Sequence, residues 1–182
     1  MNVLYTTDRL DLRILHNTGD APAILDFYER NREFLEPVEP ARTTNFYNLE
    51  YQRNNMNWEY NAFVKSNYIR IWIFPKNACT PIGCISFSEF QKGVFRRCMV
   101  GYKLDHAHCH QGFMTEALST LLPIVAKEYY LRRIEAMVMP TNLASIHLLE
   151  NLGFLKEGYL HSFAQINGVW QDHLLYTYLP QI

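Results

Sequence analysis

Leu10, Leu12 and Ile14 alternate with Asp11 and Arg13, the period of two that a half-buried strand imposes. The rhythm then lengthens. Ile24, Phe27, Tyr28 and Phe34 fall at helical spacing between Ala23 and Phe34, and Pro37 and Pro40 close that helix, because proline restricts the residue before it. Phe34-Leu35-Glu36-Pro37-Val38-Glu39-Pro40 is expected as an ordered, partly rigid loop. The polar stretch punctuated by Tyr47, Tyr51, Trp58 and Tyr60 is expected as a second helix. Ile69, Ile71 and Ile73 alternate with Tyr68, Arg70, Trp72 and Phe74. Pro81 to Phe90 and Phe95 to Leu104 follow, separated by Gln91-Lys92-Gly93, which predicts an antiparallel meander.

The strongest helical pattern comes next: Met114, Ala117, Leu118, Leu121, Leu122 and Val125 mark one buried face of a helix that starts close to Gly112. Pro123 removes one ladder hydrogen bond from it and predicts a kink. Arg133 to Met139 reads as a strand and Asn142 to Leu152 as a helix stopped by Gly153. Strand, helix, strand implies a parallel crossover. Phe154 to Ile166 and Val169 to Tyr178 flank Asn167-Gly168, a hairpin signal that returns the end of the chain to antiparallel pairing. The order predicts an α/β fold, a single domain over residues 1–182 with a mixed, mostly antiparallel sheet and helices on both faces. Repeats, low-complexity tracts and linkers are absent from the sequence.

Composition narrows the partners. Seventeen basic residues against eighteen acidic ones leave a net charge of -1, which excludes nucleic-acid binding by global charge and leaves a local patch open. Met1 to Arg13 contains no apolar leader core and no run reaches membrane-spanning length, so a cytoplasmic location without a membrane partner is expected. Cys79, Cys84, Cys98 and Cys109 lack CxxC spacing and are expected as reduced thiols.

The chemistry concentrates where Cys109-His110-Gln111-Gly112-Phe113-Met114-Thr115-Glu116-Ala117 passes from loop to helix. A helix N-terminus offers unpaired amides and partial positive charge, and a glycine before it admits a ligand close to the main chain, so an anion is the natural guest. The Lys-Ser/Thr pair of a Walker loop and the three glycines of a dinucleotide fingerprint are missing. Glu116, in the first turn, is accounted for by the helix dipole. His106, His108, Cys109 and His110 suggest a metal, but consecutive residues on an extended segment point to opposite faces and no second ligand group stands at zinc spacing, so no metal is expected. Asn142 is a good helix N-cap with Ser145 at its third position. Tyr159, His161, Trp170 and His173 fit either a core face or the wall of a cleft.

With Gln111-Gly112-Phe113-Met114-Thr115-Glu116-Ala117 opening the central helix, the order of elements resembles the GNAT superfamily of acyl-CoA-dependent N-acetyltransferases. Thr7 to Arg13, Asn142 to Ile146 and Gly153 to Gly158 are similar to further segments of that superfamily. Asn31 to Pro40, Glu157-Gly158-Tyr159 and Asn167 to His173 resemble its branch of bacterial ribosomal-protein N-acetyltransferases. Two positions depart from the superfamily: Cys109 stands where Gln or Arg is usual, and Met114 where a small residue is usual.

The resemblance implies an acetyl-CoA-dependent acetyltransferase whose acceptor is a protein N-terminus, the alanine of a small-subunit ribosomal protein, attacked directly without a covalent enzyme intermediate. It implies that amides of His110, Gln111, Gly112, Phe113, Met114 and Thr115 hold the pyrophosphate and that Tyr102 to Leu104 line the pantetheine. It also implies that Asn142 contacts the cofactor and that Ser145 lies near the thiol, while Glu39 faces the cationic N-terminus of the acceptor. Glu36, Glu39 and Glu89 remain alternatives for a base acting through water. A small amine or antibiotic as acceptor, or a non-catalytic acyl-CoA-binding or ribosome-assembly factor, remain alternative functions.

Overall fold

A computed structural model describes residues 1–181. Its eight strands form one sheet in the order β1-β2-β3-β4-β5-β6-β8-β7. They are β1 (Leu4–Thr6), β2 (Leu10–Arg13), β3 (Ile69–Pro75), β4 (Gly83–Gln91), β5 (Arg97–Leu104), β6 (Arg133–Val138), β7 (Leu155–Ile166) and β8 (Val169–Tyr178). All neighbours pair antiparallel except β5 and β6, which are joined through α4 (Phe113–Glu128). β1 is an addition to the expected set; three residues are too short for a period to register.

Alternation along the strands assigns the helices to faces. Leu10, Leu12, Ile69, Ile71, Ile73, Ile85, Phe87 and Val100 share one cluster with Ala117, Leu118, Leu121 and Val125 of α4 and Leu149 of α5 (Leu143–Asn151). Trp72, Phe74 and Cys84, one residue out of step, join Ala21, Ile24, Phe27 and Tyr28 of α1 (Ala21–Arg30) and Met56 of α3 (Leu49–Val64) on the other face. Both faces of β3 are thus buried, so its alternation separates two cores rather than core from solvent.

The helix expected over Ala23 to Phe34 is interrupted. Asn31 leaves helical geometry between α1 and the single turn α2 (Arg32–Leu35), and Glu36 to Val38 continue as a 3₁₀ turn. The cause is a polar side chain used twice: buried Asn31 donates to the Phe27 carbonyl at 2.9 Å and accepts the His106 amide at 3.0 Å. α4 runs through Pro123 to Glu128. At the hairpin, Asn167 and Gly168 both take positive φ, 47° and 80°, as a tight turn matched to strand twist requires. All four cysteines are free thiols.

Candidate active site

β5 and β6 pair only over Arg97 to Met99 against Arg133 to Glu135. Beyond that point Tyr102 and Leu104 pair with β4 alone, and Ala136 to Val138 with β8 alone. The two strands therefore part in the middle of the sheet, leaving main-chain groups on facing edges without sheet partners. The loop between Leu104 and α4 stands at the mouth of this gap.

That loop is held from several sides. Asp105 accepts the Ala107 amide and caps a 3₁₀ turn over His106 to His108. Arg30 Nε reaches the buried Asp105 carboxylate at 2.7 Å, and burial, which would raise its pKa, is outweighed by Arg30, Ala107 and Asn31, so the carboxyl lies below its ordinary value. Gln111 Nε2 donates to the Ala107 carbonyl at 2.9 Å and Arg9 Nη1 to the Gln111 carbonyl at 3.0 Å. Arg9 also stacks 4.5 Å from the centre of the Phe113 ring and pairs with Glu116 at 2.6 Å. Glu116 accepts from Thr7 and from the Arg9 amide as well. Burial pushes against its ionised form, and these donors hold its pKa below the ordinary range. Glu116 is therefore more than a partner for the helix dipole: it clamps the turn between β1 and β2 onto the start of α4.

So braced, the main chain from His110 to Thr115 presents amides that meet no protein acceptor among the described residues. His110 and Gly112 both adopt positive φ, 58° and 78°. A β-carbon at Gly112 would stand 3.4 Å from Arg9 Nη2, and its backbone conformation is one that side chains resist. His110, Gln111, Gly112 and Thr115 are exposed, Phe113 is half-buried under Arg9, and Met114 sits in the core at 6% exposure, available only through its main chain. A run of free amides at a helix start is an arrangement that attracts anions.

Across the gap, Asn142 caps α5, its side-chain oxygen accepting the Ser145 amide at 3.1 Å. The Tyr102 phenol lies against Ser145, 3.4 Å from its carbonyl oxygen. Burial pushes that phenol up to about 12, against a smaller pull from Ser145, so it stays protonated at neutral pH. Tyr102, read from sequence only as a main-chain partner, thus joins β5 to α5 by its side chain.

Glu39 reaches β5 from the opposite face. One carboxylate oxygen pairs with Lys103 at 2.6 Å and the other with Arg42 at 2.7 Å. Burial would raise its pKa, yet the two cations outweigh burial and hold it below the usual carboxylate range. Lys103 faces this side because its β4 partner is Cys84, whereas Tyr102 pairs with Ile85 of the other core. Glu36 accepts from Tyr47 at 2.8 Å, the chief cause of its lowered pKa, and its carbonyl accepts from Asn167 Nδ2 at 2.8 Å. The Phe34 to Pro40 segment and the tip of the C-terminal hairpin are therefore in direct contact, bordering a cavity of about 320 Å³ lined by Arg32, Arg42, Thr43, Thr44 and Tyr47. No spacing rule connects Asn167 to Glu36.

The histidine cluster disperses. His106 packs on Phe34 with ring centres 4.7 Å apart, His108 lies beside Phe113, and His110 is exposed. Burial, then the Asp105 charge, raises the Cys109 thiol, which disfavours a thiolate nucleophile. Among the described residues no three His, Cys, Asp or Glu side chains are placed to hold a metal ion, and no helix is long and apolar enough to cross a membrane. On the hairpin, Tyr159 and Trp170 are exposed and His173 is buried against Phe163, so the aromatics divide between surface and core.

A strand pair parting beside an amide-lined helix start is the arrangement of an acyl-CoA transferase, and the acetyltransferase (GNAT) domain model matches residues 9–155: the chain belongs to the GNAT family of acetyltransferases. Among curated relatives it is 36% identical over 175 residues to the [Ribosomal protein uS5]-alanine N-acetyltransferase of Escherichia coli, covering 95% of this chain and 89% of that one. Among solved structures, the ribosomal-protein-S5-alanine acetyltransferase of Vibrio fischeri superposes with a TM-score of 0.92 at 29% identity over 99% of this chain and 98% of that one. RimJ of Mycobacterium smegmatis, solved in complex with CoA-disulfide, shares the fold with a TM-score of 0.87 at 24% identity, covering 93% and 81%.

Proposed function

We propose that the chain transfers the acetyl group of acetyl-CoA to the α-amino group of a protein, and that this acceptor is the N-terminal alanine of a small-subunit ribosomal protein. The observation that carries the reading is the Asn167 to Glu36 contact, which joins the two passages that resemble the ribosomal-protein branch into one wall beside β5. The names of the relatives from Escherichia coli and Vibrio fischeri support the same acceptor.

In this reading the amides from His110 to Thr115 hold the pyrophosphate, while Gly112 keeps the approach clear. Main-chain groups of Tyr102 and Leu104, left without a partner on the β6 side, pair with the pantetheine amides as a further strand would. Asn142 fixes the first turn of α5, and Ser145 holds or protonates the sulfur that leaves as the acceptor nitrogen bonds to the acetyl carbonyl. Glu39 retains lone pairs beyond those engaged by Lys103 and Arg42 and accepts a hydrogen bond from the cationic acceptor. An α-amino group has a pKa of about 8, so a fraction is already neutral near pH 7 and a strong base is unnecessary.

The test is acetyl-CoA turnover against a panel of N-terminal peptides and free polyamines. The proposal expects thiol release with Ala-initiated peptides and little with polyamines. The reverse pattern reassigns the acceptor to a small amine, and acetyl-CoA binding without thiol release from any amine removes the catalytic reading.

A further inference from the structure

The opposite end of α4 carries a second surface. The helix has 16 residues, so its last turn lies roughly 24 Å from the Gly112 loop at 1.5 Å per residue. There the β4–β5 turn meets the segment from Lys127 to Arg132, the Arg132 amide donating to the Arg96 carbonyl at 2.7 Å. Lys92, Arg96, Lys127 and Arg132 are all exposed, and none forms an ion pair among the described residues. The carboxylates close by in the chain are Glu128, which pairs with the Met1 ammonium at 3.4 Å, and Glu89. Lys127 is accounted for by the negative end of the helix dipole, but Lys92 and Arg96 come from another element and are not.

Aromatic surface is interleaved with this charge. Tyr130 is 75% exposed and Phe95 62%, so both rings have faces open to a partner. Beside Tyr130 opens a cavity of about 520 Å³, bordered by Phe90, Lys92, Arg96, Tyr129 and Tyr130 and, on the Met1 side, by Glu128. Arg96 and Tyr130 both hold positive φ, 45° and 54°, a conformation that non-glycine residues resist, yet the main-chain bonds around them fix it. Unpaired cations and exposed rings on one surface are the two components of a single-stranded nucleic-acid site: phosphates neutralised by Lys and Arg, bases stacked on aromatic faces.

We propose that this end of the molecule binds single-stranded RNA through Lys92, Arg96, Lys127 and Arg132, with Tyr130 and Phe95 as stacking platforms. The near-neutral total charge hides the patch, because most of the eighteen acidic residues lie outside it and the Glu128 carboxylate at its edge is paired with the Met1 ammonium. The surface is separate from the acetyl-transfer site and does not depend on the acceptor assigned there.

The experiment is fluorescence anisotropy of a labelled unstructured RNA oligonucleotide with the full chain. Four phosphate contacts on a single strand give a log-log salt slope of about -2.8, or about fiftyfold weaker binding between about 50 and about 200 mM salt. The fourfold variant Lys92→Glu, Arg96→Glu, Lys127→Glu, Arg132→Glu should lose at least tenfold in affinity while acetyl-CoA affinity, which also reports folding, is unchanged. Tyr130→Ala, which leaves every charge in place, should weaken RNA binding severalfold without altering the salt slope. No measurable binding at about 50 mM salt, or equal binding by wild type and the fourfold variant, overturns the proposal. Displacement of RNA by poly-glutamate at matched charge, with no effect of Tyr130→Ala, overturns it in favour of an acidic protein partner.

Discussion

The proposed cofactor loop and the proposed acceptor wall are built by opposite means. From His110 to Thr115 the chemistry is main-chain, six consecutive amides at one helix start, and side chains such as Arg9, Asn31 and Glu116 only hold that main chain in place. The wall is made of side chains from distant segments: Glu36 and Glu39, Arg42 and Tyr47, Lys103 on β5, Asn167 on the hairpin. A main-chain site suits a ligand common to a whole family, because it survives most substitutions. A side-chain wall can be altered one residue at a time, so under the proposed assignment it is where acceptor choice can change while the cofactor does not.

Breaking the main-chain site should have the largest effect. Gly112→Val puts a branched side chain at φ 78°, 3.4 Å from Arg9, and blocks the phosphate approach. The acetyl-CoA dissociation constant, by calorimetry on a variant with wild-type circular dichroism, should rise more than tenfold, the equivalent of about 1.4 kcal/mol. Ser145→Ala should lower kcat about a hundredfold with little change in KM for acetyl-CoA, the pattern of a group that acts on the departing sulfur. Equal losses in binding and turnover would make Ser145 a cofactor contact only.

Smaller effects belong to the wall. Asn167→Ala removes one neutral hydrogen bond to Glu36, a net contribution of about 1 kcal/mol, and should raise peptide KM about fivefold while leaving acetyl-CoA affinity untouched. A matching loss of cofactor affinity would erase the distinction between the two regions. Glu39→Gln sharpens it through pH. The Glu39 carboxyl is held below its unfolded value, so its stabilisation is complete above about pH 4.3 and is lost as pH falls through the lower folded value. Thermal melts at neutral pH and near pH 3 should show the wild type losing more on acidification than the variant.

The same division governs what was legible in the sequence. The α4 start could be read from Gly112 and the apolar stripe at Met114, Ala117 and Leu118, because a main-chain site is local. The Asn167-Gly168 turn and the crossover from β5 to β6 were legible for the same reason. The break at Asn31 was not: a continuous helical stripe favours one helix, and only the fold supplies the His106 amide that draws Asn31 out of it. Arg9 at the Gln111 carbonyl, Tyr102 against Ser145 and Lys103 against Glu39 likewise exist only once distant segments meet. Glu39 was singled out by resemblance, but its engagement by two cations was invisible in the chain.

The most direct test locates the acetyl group on a single peptide carrying both an N-terminal alanine and an internal lysine. After reaction with acetyl-CoA, fragmentation mass spectrometry should place one acetyl on the α-amine of the alanine and none on the lysine side chain. Acetylation of the lysine with the alanine left free would contradict the account.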